Sequence, residues 1–430
     1  MTMTVVFLAA SILAPAADPS ASHAESKVSL GVNSCTASAC HGGPAGVKGK
    51  EWNSSYTVWA TKDPHADAFE TLYSERSKNI VARLAVSENE DPKKDPKQYR
   101  AFLERRCVAC HATVGQDRHS PDGYAEDGVS CASCHGVAGE WLGNEHAGRR
   151  SNKAGGMTNT KDLVPRAKVC VDCHVGSPAR NGQPGRDVNH DLIAAGHPRL
   201  NFEFAAYLGT LPAHWNVDKD RDRVRQPSGA KKPQGNFAAE AWATGQFVAA
   251  NAALELLESR AATDGRSDKD HAWPEFSEIS CYSCHHDLRS PSYRQKLFQR
   301  EAPTDRRSPI GSLVWGTWYS PMPRRFLLAQ PGGAANNEAG WNELERVMSV
   351  LQPDSKEVVR LSTALRQKLT LPVNSQQTVE RLTKSKPAPR SDWDEVAQWY
   401  LAAVAWHQAL QEEHEGNQKP GDQAKIKERE

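Results

Sequence analysis

All ten cysteines of this 430-residue chain fall into five sets in which a histidine directly follows the second thiol. Four sets are C-x-x-C-H: Cys107 to His111, Cys131 to His135, Cys170 to His174 and Cys281 to His285. The first, Cys35 to His41, is wider, with four residues between the thiols. Zinc ribbons and disulfide frameworks also pair cysteines, but neither requires a histidine after every pair. Covalent haem attachment does. Two thiols one helical turn apart can add across the two vinyl groups of one porphyrin. The next histidine then faces the iron as its proximal ligand.

The expected cofactors are therefore five covalently attached haem c groups. Their thioethers would come from Cys35, Cys40, Cys107, Cys110, Cys131, Cys134, Cys170, Cys173, Cys281 and Cys284, with His41, His111, His135, His174 and His285 as proximal ligands. The second and third motifs are close enough in sequence to tether two porphyrins within electron-exchange distance. For the wide first set, the competing reading is a local disulfide beside a coincidental His41.

Such cofactors account for the composition. Only 38% of the residues are hydrophobic, and the mean hydropathy of -0.65 is low for a chain of this length. A porphyrin is a large apolar plate that takes the place of core side chains. Burying one contributes on the order of 10 kcal/mol gross, from a few hundred Å² at ~25 cal/mol/Å². The apo chain is expected to fold poorly for the same reason. The net charge of +1, from 53 basic and 52 acidic residues, argues against a nucleic-acid partner.

Residues Val5 to Ala17 form an apolar run followed by small residues. This resembles a secretory signal peptide, expected over residues 1–24 and cleaved, although its start lacks Lys or Arg. The run is too short to span a bilayer comfortably. Export to the periplasm fits attachment of c-type haem outside the cytoplasm.

Hydrophobic periodicity predicts a mainly α fold with extensive irregular chain. A helix over Trp52 to Ala85 is broken near Asp63-Pro64, and a short one over Gln98 to Arg106 leads into the second motif. Gly136 to Pro165 and Asn216 to Gly235 read as loops. Ala238 to Ala262 is a strong helix. Beyond Pro303 three more helices are expected. One uses Trp341, Leu344, Met348 and Leu351, and another Val358, Leu361 and Leu365. The third, entered through Ser391 and Asp392, uses Trp393, Val396, Tyr400, Ala403, His407 and Leu410. The implied division is a haem core over 25–200, a helical segment with the fifth motif over 201–300, and a haem-free C-terminal helical region over 301–430.

A six-coordinate haem needs a second, distal histidine. His65 and His146 have the most suggestive contexts, followed by His197, framed by Gly196 and Pro198, and by His190. His119, His214, His271 and His286 are weaker candidates, and His407 reads as a core residue.

The motifs resemble the cytochrome c-554 family of multihaem electron carriers. The resemblance runs from about residue 30 to 200. It includes Trp59 and His65-Ala66-Asp67-Ala68 after the first motif, the second motif, the Gly128-Val129-Ser130-Cys131-Ala132-Ser133-Cys134-His135-Gly136 stretch, His146, and the fourth motif. It implies electron transfer, with His65 and His146 as distal ligands and one five-coordinate haem, by order the second. The wide first motif, the fifth motif, Asn189 to Arg199 and the C-terminal part have no counterpart in it.

Two functions follow. One is an exported pentahaem cytochrome passing electrons between redox proteins, with a membrane-associated redox complex among the forms its partners could take. The other is a multihaem reductase of a small inorganic nitrogen or sulfur compound, acting at a five-coordinate haem. Pentahaem nitrite reductases usually carry C-x-x-C-K at the catalytic haem, and all five motifs here end in His. The carrier is therefore favoured, and the Cys-free C-terminal helices could dock such a carrier to its partners.

Overall fold

The computed structural model describes residues 31–88, 92, 95–113, 126–136, 138, 157–180, 183–225, 236–262, 273–285, 289–292, 313–316, 318–328, 334–369, 375–384 and 393–417. The fold is mainly α. Among the described residues there is no strand, only isolated bridges such as Ser177 with Arg186 and Ile279 with Trp315. The expected signal segment, His119, His146, His271, His286 and the caps Ser391 and Asp392 lie outside the described residues.

The N-terminal part is built from short helices: α1 (Ser55–Lys62), α2 (Glu75–Glu88), α3 (Pro96–Arg106), α4 (Val108–His111) and α5 (Cys131–His135). The break expected at Asp63-Pro64 is there: α1 ends at Lys62, and the chain turns before α2. Helix α3 starts at Pro96 because Asp95 caps it, accepting a hydrogen bond from the Lys97 N–H at 2.9 Å. A small core of Phe69, Leu72, Val81, Phe102, Leu103 and Val108 joins α2, α3 and α4.

Next come α6 (Leu163–His174), α7 (His190–Ala195), α8 (Phe204–Thr210), α9 (Val217–Arg225) and α10 (Phe237–Ala262). Helix α9 corrects the loop expected from Asn216 onward. Its charged sequence reads as solvated chain. Asp220 is nevertheless buried, and it receives a bidentate hydrogen bond from Arg166 of α6 at 2.8 and 2.9 Å.

Helix α10 is the central beam, about 39 Å long at 1.5 Å per residue. Such a helix is apolar on every side because every side is covered. Ala241, Val248, Ala249 and Ala252 pack on α6 and α8. Ala239, Trp242, Ala243 and Phe247 face α11 (Pro321–Leu328), α14 (Ser375–Lys384) and α15 (Trp393–Asn417). Leu254, Leu257 and Ala261 face α12 (Ala334–Met348) and α13 (Ser355–Lys368). Packing therefore runs across positions 200 and 300, from the fourth-motif helix α6 through α10 to the C-terminal helices.

Two C-terminal expectations change. Leu351 lies beyond the end of α12 and is exposed. In α15 the predicted face is the wrong one. Trp393 is 76% and Tyr400 64% exposed, and Val396, His407 and Leu410 are exposed as well. The buried stripe is Gln398, Ala402, Ala405 and Ala409. Small side chains let α15 approach α10 closely, and Gln398 accepts a 3.0 Å hydrogen bond from Gln246 across that contact. No helix among the described residues is long and apolar enough to cross a membrane.

Candidate haem sites

The break after α1 sets up the first site. Asp63 ends the helix and Pro64 prevents its continuation, so His65 projects from a turn. The turn is held against the third motif. The Trp59 indole donates to the Val129 carbonyl at 3.1 Å, and the Val129 N–H donates to the His65 carbonyl at 2.9 Å. Gly128 allows this approach. Its φ is +63°, and a Cβ there would lie 2.4 Å from the Ala66 carbonyl oxygen. Thr113, just after the second motif, binds the Ser130 and Ser133 hydroxyls at 2.9 and 2.8 Å. The second and third motifs are thus stitched together.

The thiols pair the motifs differently from chain order. Cys110 of the second motif is in hydrogen-bonding contact with Cys173 of the fourth, and Cys35 of the first with Cys131 of the third. Arg186, beyond the fourth motif, donates to the Ala109 carbonyl of the second at 2.7 Å. None of the ten cysteines forms a disulfide. Burial pushes the thiols of Cys107 and Cys170 up to about 11, so both are neutral at ordinary pH.

Three proximal-motif histidines each face a second imidazole. His65 faces His174 with ring centroids 6.1 Å apart. His197 faces His111 at 6.5 Å, and His214 faces His135 at 6.4 Å. Two imidazoles holding one iron, each nitrogen at about 2 Å from it, place their ring centres about 6 Å apart. The three separations match that geometry.

In His65, His111 and His197 of these pairs, and in His41 of the first motif, Nδ1 also meets an oxygen acceptor. His111 Nδ1 lies 2.9 Å from the Ala68 carbonyl, His197 Nδ1 2.9 Å from that of Pro198, and His41 Nδ1 2.6 Å from that of Trp52. His65 Nδ1 lies 2.8 Å from the Asp63 carboxylate. Metal-bound imidazoles are oriented in this way, with the remaining N–H donated to a fixed acceptor so that Nε2 faces the metal. Burial, followed by the nearby His65, lowers His174 to about 4, which keeps it in the neutral form an iron needs. Burial would raise Asp63, but the ring and main-chain N–H of His65 outweigh it and hold that carboxyl below its usual range.

Aromatic side chains line the same places. Phe202 stacks on His174 with centroids 5.2 Å apart, Tyr207 meets it edge-on, and Trp52 and Phe276 stand beside His41 and His190. Trp52, Tyr207 and Phe276 are partly open to solvent. Among the described residues no three His, Cys, Asp or Glu side chains gather as a metal cage. The residues therefore fit a porphyrin iron held between two imidazoles.

Residues 34–136 match the family model described as cytochrome c554 and c-prime. This stretch is similar to cytochrome c554. It contains the first three motifs, His65 and the Gly128 to Gly136 stretch, and it marks a haem-based electron-transfer protein with covalently bound haem c. The fourth motif, which the sequence resemblance also included, lies beyond the matched residues. No curated protein and no solved structure matches the chain.

Several placements differ from expectation. The cytochrome c554 resemblance implied an open iron at the second motif, but His197 stands opposite His111. His214 ranked among the weaker histidines, yet it faces His135. Its signal was indirect: it lies between Pro212 and Trp215, and the distant Arg166–Asp220 pair fixes the segment, with the Arg166 guanidinium 5.5 Å from the Trp215 ring. Among the described residues no imidazole faces His190. It packs edge-on against Phe276, beside the fifth motif, and its N–H binds Glu275 at 2.8 Å. Arg199 reaches the same region, donating to Cys281 Sγ at 3.5 Å. His285 is exposed, and no described histidine faces it.

Proposed function

We propose that the chain is an exported pentahaem c-type cytochrome that passes electrons singly between redox proteins, in the periplasm after loss of its leader. The observation that carries this reading is the set of three imidazole pairs at 6.1, 6.5 and 6.4 Å. An iron closed on both faces by histidine has no position for a substrate, so its work is electron exchange. Bound haem supplies a reversible one-electron change at iron.

The protein's own part is positional. His111, His135 and His174 are carried on short helices with their thiols, and His65, His197 and His214 come from turns held by Asp63, the Pro198 carbonyl and the Arg166–Asp220 clamp. The thiol contacts between the second and fourth motifs, and between the first and third, bring the attachment points of different haems side by side. Short separations between neighbouring groups suit stepwise transfer through the molecule.

The competing reductase reading requires an iron open to a small ligand. The exposed His285 and the fifth motif are where it draws support. The deciding experiment is an optical and magnetic spectrum of the purified holoprotein, with and without cyanide or nitric oxide, beside its intact mass. The carrier reading expects five haems by mass and no rapid ligand binding. Rapid binding at one haem, with turnover of nitrite or a similar oxyanion, would replace it with the reductase. N-terminal sequencing of the mature protein checks export, expecting a start between about Ala17 and Ser26.

A further inference from the structure

The site in the α1 break differs chemically from its neighbours. The Nδ1 atoms of His41, His111 and His197 face neutral main-chain carbonyls. His65 Nδ1 faces a carboxylate, with Asp63 Oδ1 2.8 Å away. The same Oδ1 accepts the His65 main-chain N–H at 3.0 Å, which fixes the carboxylate relative to the ring. Asp63 is only 6% exposed, so water screens it weakly. Its geometry is set by the end of α1, where its N–H donates to the Trp59 carbonyl at 3.1 Å. His190 offers a comparison: Asp191 Oδ1 is 3.9 Å from its Nδ1, beyond hydrogen bonding, and that carboxylate is exposed.

A carboxylate accepting the outer N–H of a ligand imidazole makes that imidazole a stronger electron donor. A nearby negative charge also favours the more positive iron. Both effects favour the oxidised state. We propose that Asp63 positions His65 and tunes the iron shared by His65 and His174, making the fourth-motif haem lower in potential than those whose outer ligand nitrogens donate to carbonyls. This rests on the reading that His65 and His174 bind one iron. Asp63 touches neither iron nor porphyrin and acts through His65.

The test is a spectroelectrochemical titration of the full-length holoprotein and its Asp63→Asn, Asp63→Glu and His65→Ala variants. Asn keeps the shape and the oxygen that accepts the main-chain N–H, but removes the charge. Asp63→Asn is expected to raise the potential of one haem, leaving haem content, low-spin character and the other potentials as in the parent. Asp63→Glu, which restores the charge, should bring that potential back toward the parent value. Unchanged potentials in Asp63→Asn would overturn the inference and leave the ligand pairing intact. So would an equal shift in Asp63→Glu, which would assign the effect to packing. His65→Ala separates the two layers. It is expected to turn one haem high-spin, and a spectrum identical to the parent would overturn the pairing itself.

Discussion

His197 and His111 face each other with ring planes at 88° and centroids 6.5 Å apart, although 85 residues of chain lie between them. His197 can reach this position because α7 ends at Gly196, whose φ of +120° turns the chain sharply, and because Arg83 and Arg76 of α2 donate to the Ala195 and Gly196 carbonyls at 2.8 and 3.0 Å. His197→Ala is expected to convert the second-motif haem to high spin while leaving it covalently attached. A low-spin spectrum identical to the parent would mean that another side chain serves that iron.

His214 depends on a remote clamp. Arg166 is largely buried and Asp220 almost wholly so. Asp220→Ala leaves the guanidinium without its partner, and losing one side of a buried pair costs about 3–5 kcal/mol. The expected outcome is a lower denaturant midpoint together with a mixed-spin signal from the third-motif haem. His214→Ala should give the spin change with much less loss of stability. Equal stability losses in the two variants would argue against the clamp.

Glu203 caps α8, accepting the Ala205 and Ala206 N–H groups at 3.1 and 2.7 Å. Burial nonetheless raises its carboxyl from 4.5 to about 7, against the pull of those two bonds. The folded state therefore holds a proton that the unfolded chain has released. Its contribution favours folding at pH 4.5 and below, and declines as pH rises to 7, by about 3 kcal/mol at most. Glu203→Gln should flatten the slope of stability between pH 5 and 8 relative to the parent, as measured by denaturant unfolding at each pH.

The two faces of α15 should respond in opposite ways. Tyr400→Ser, on the exposed aromatic side, is expected to change stability by no more than about 0.5 kcal/mol. Ala405→Leu pushes extra carbons into the contact with α10 and is expected to cost about 1–3 kcal/mol. Thermal melts of the two holoproteins distinguish these outcomes, and a reversed order would restore the face expected from periodicity.

That face shows where the sequence was legible and where it was not. Helix α15 itself is evident from spacing, and so are α10, α13 and the Asp63-Pro64 break, because each rests on local periodicity or a local breaker. Which side of α15 is buried depends on how closely another helix comes. Alanines at 402, 405 and 409 carry too little hydrophobicity to outweigh Trp393 and Tyr400 in a reading of periodicity. The attachment motifs were legible because their chemistry fixes the spacing. Distal partners are another matter, since a second axial ligand can come from any distance. His65 carried a local signal in the break. His214 did not, because what holds it is an arginine about fifty residues upstream and an aspartate in a segment too charged to read as helix.

The proposed ligand pairs overlap along the chain: His65 with His174, His111 with His197, and His135 with His214. Each opens before the previous one has closed. On this ligation the cofactors are cross-links as well as redox groups, and the loops they close interlock. A cross-link removes freedom from the unfolded chain, and overlapping closures brace the same stretch more than once. These closures are of two strengths, since the thioethers are permanent and the iron–histidine bonds can open. Acid that displaces the distal histidines would release these loops, leaving a loose chain with its haems still attached and able to close again when the acid is removed.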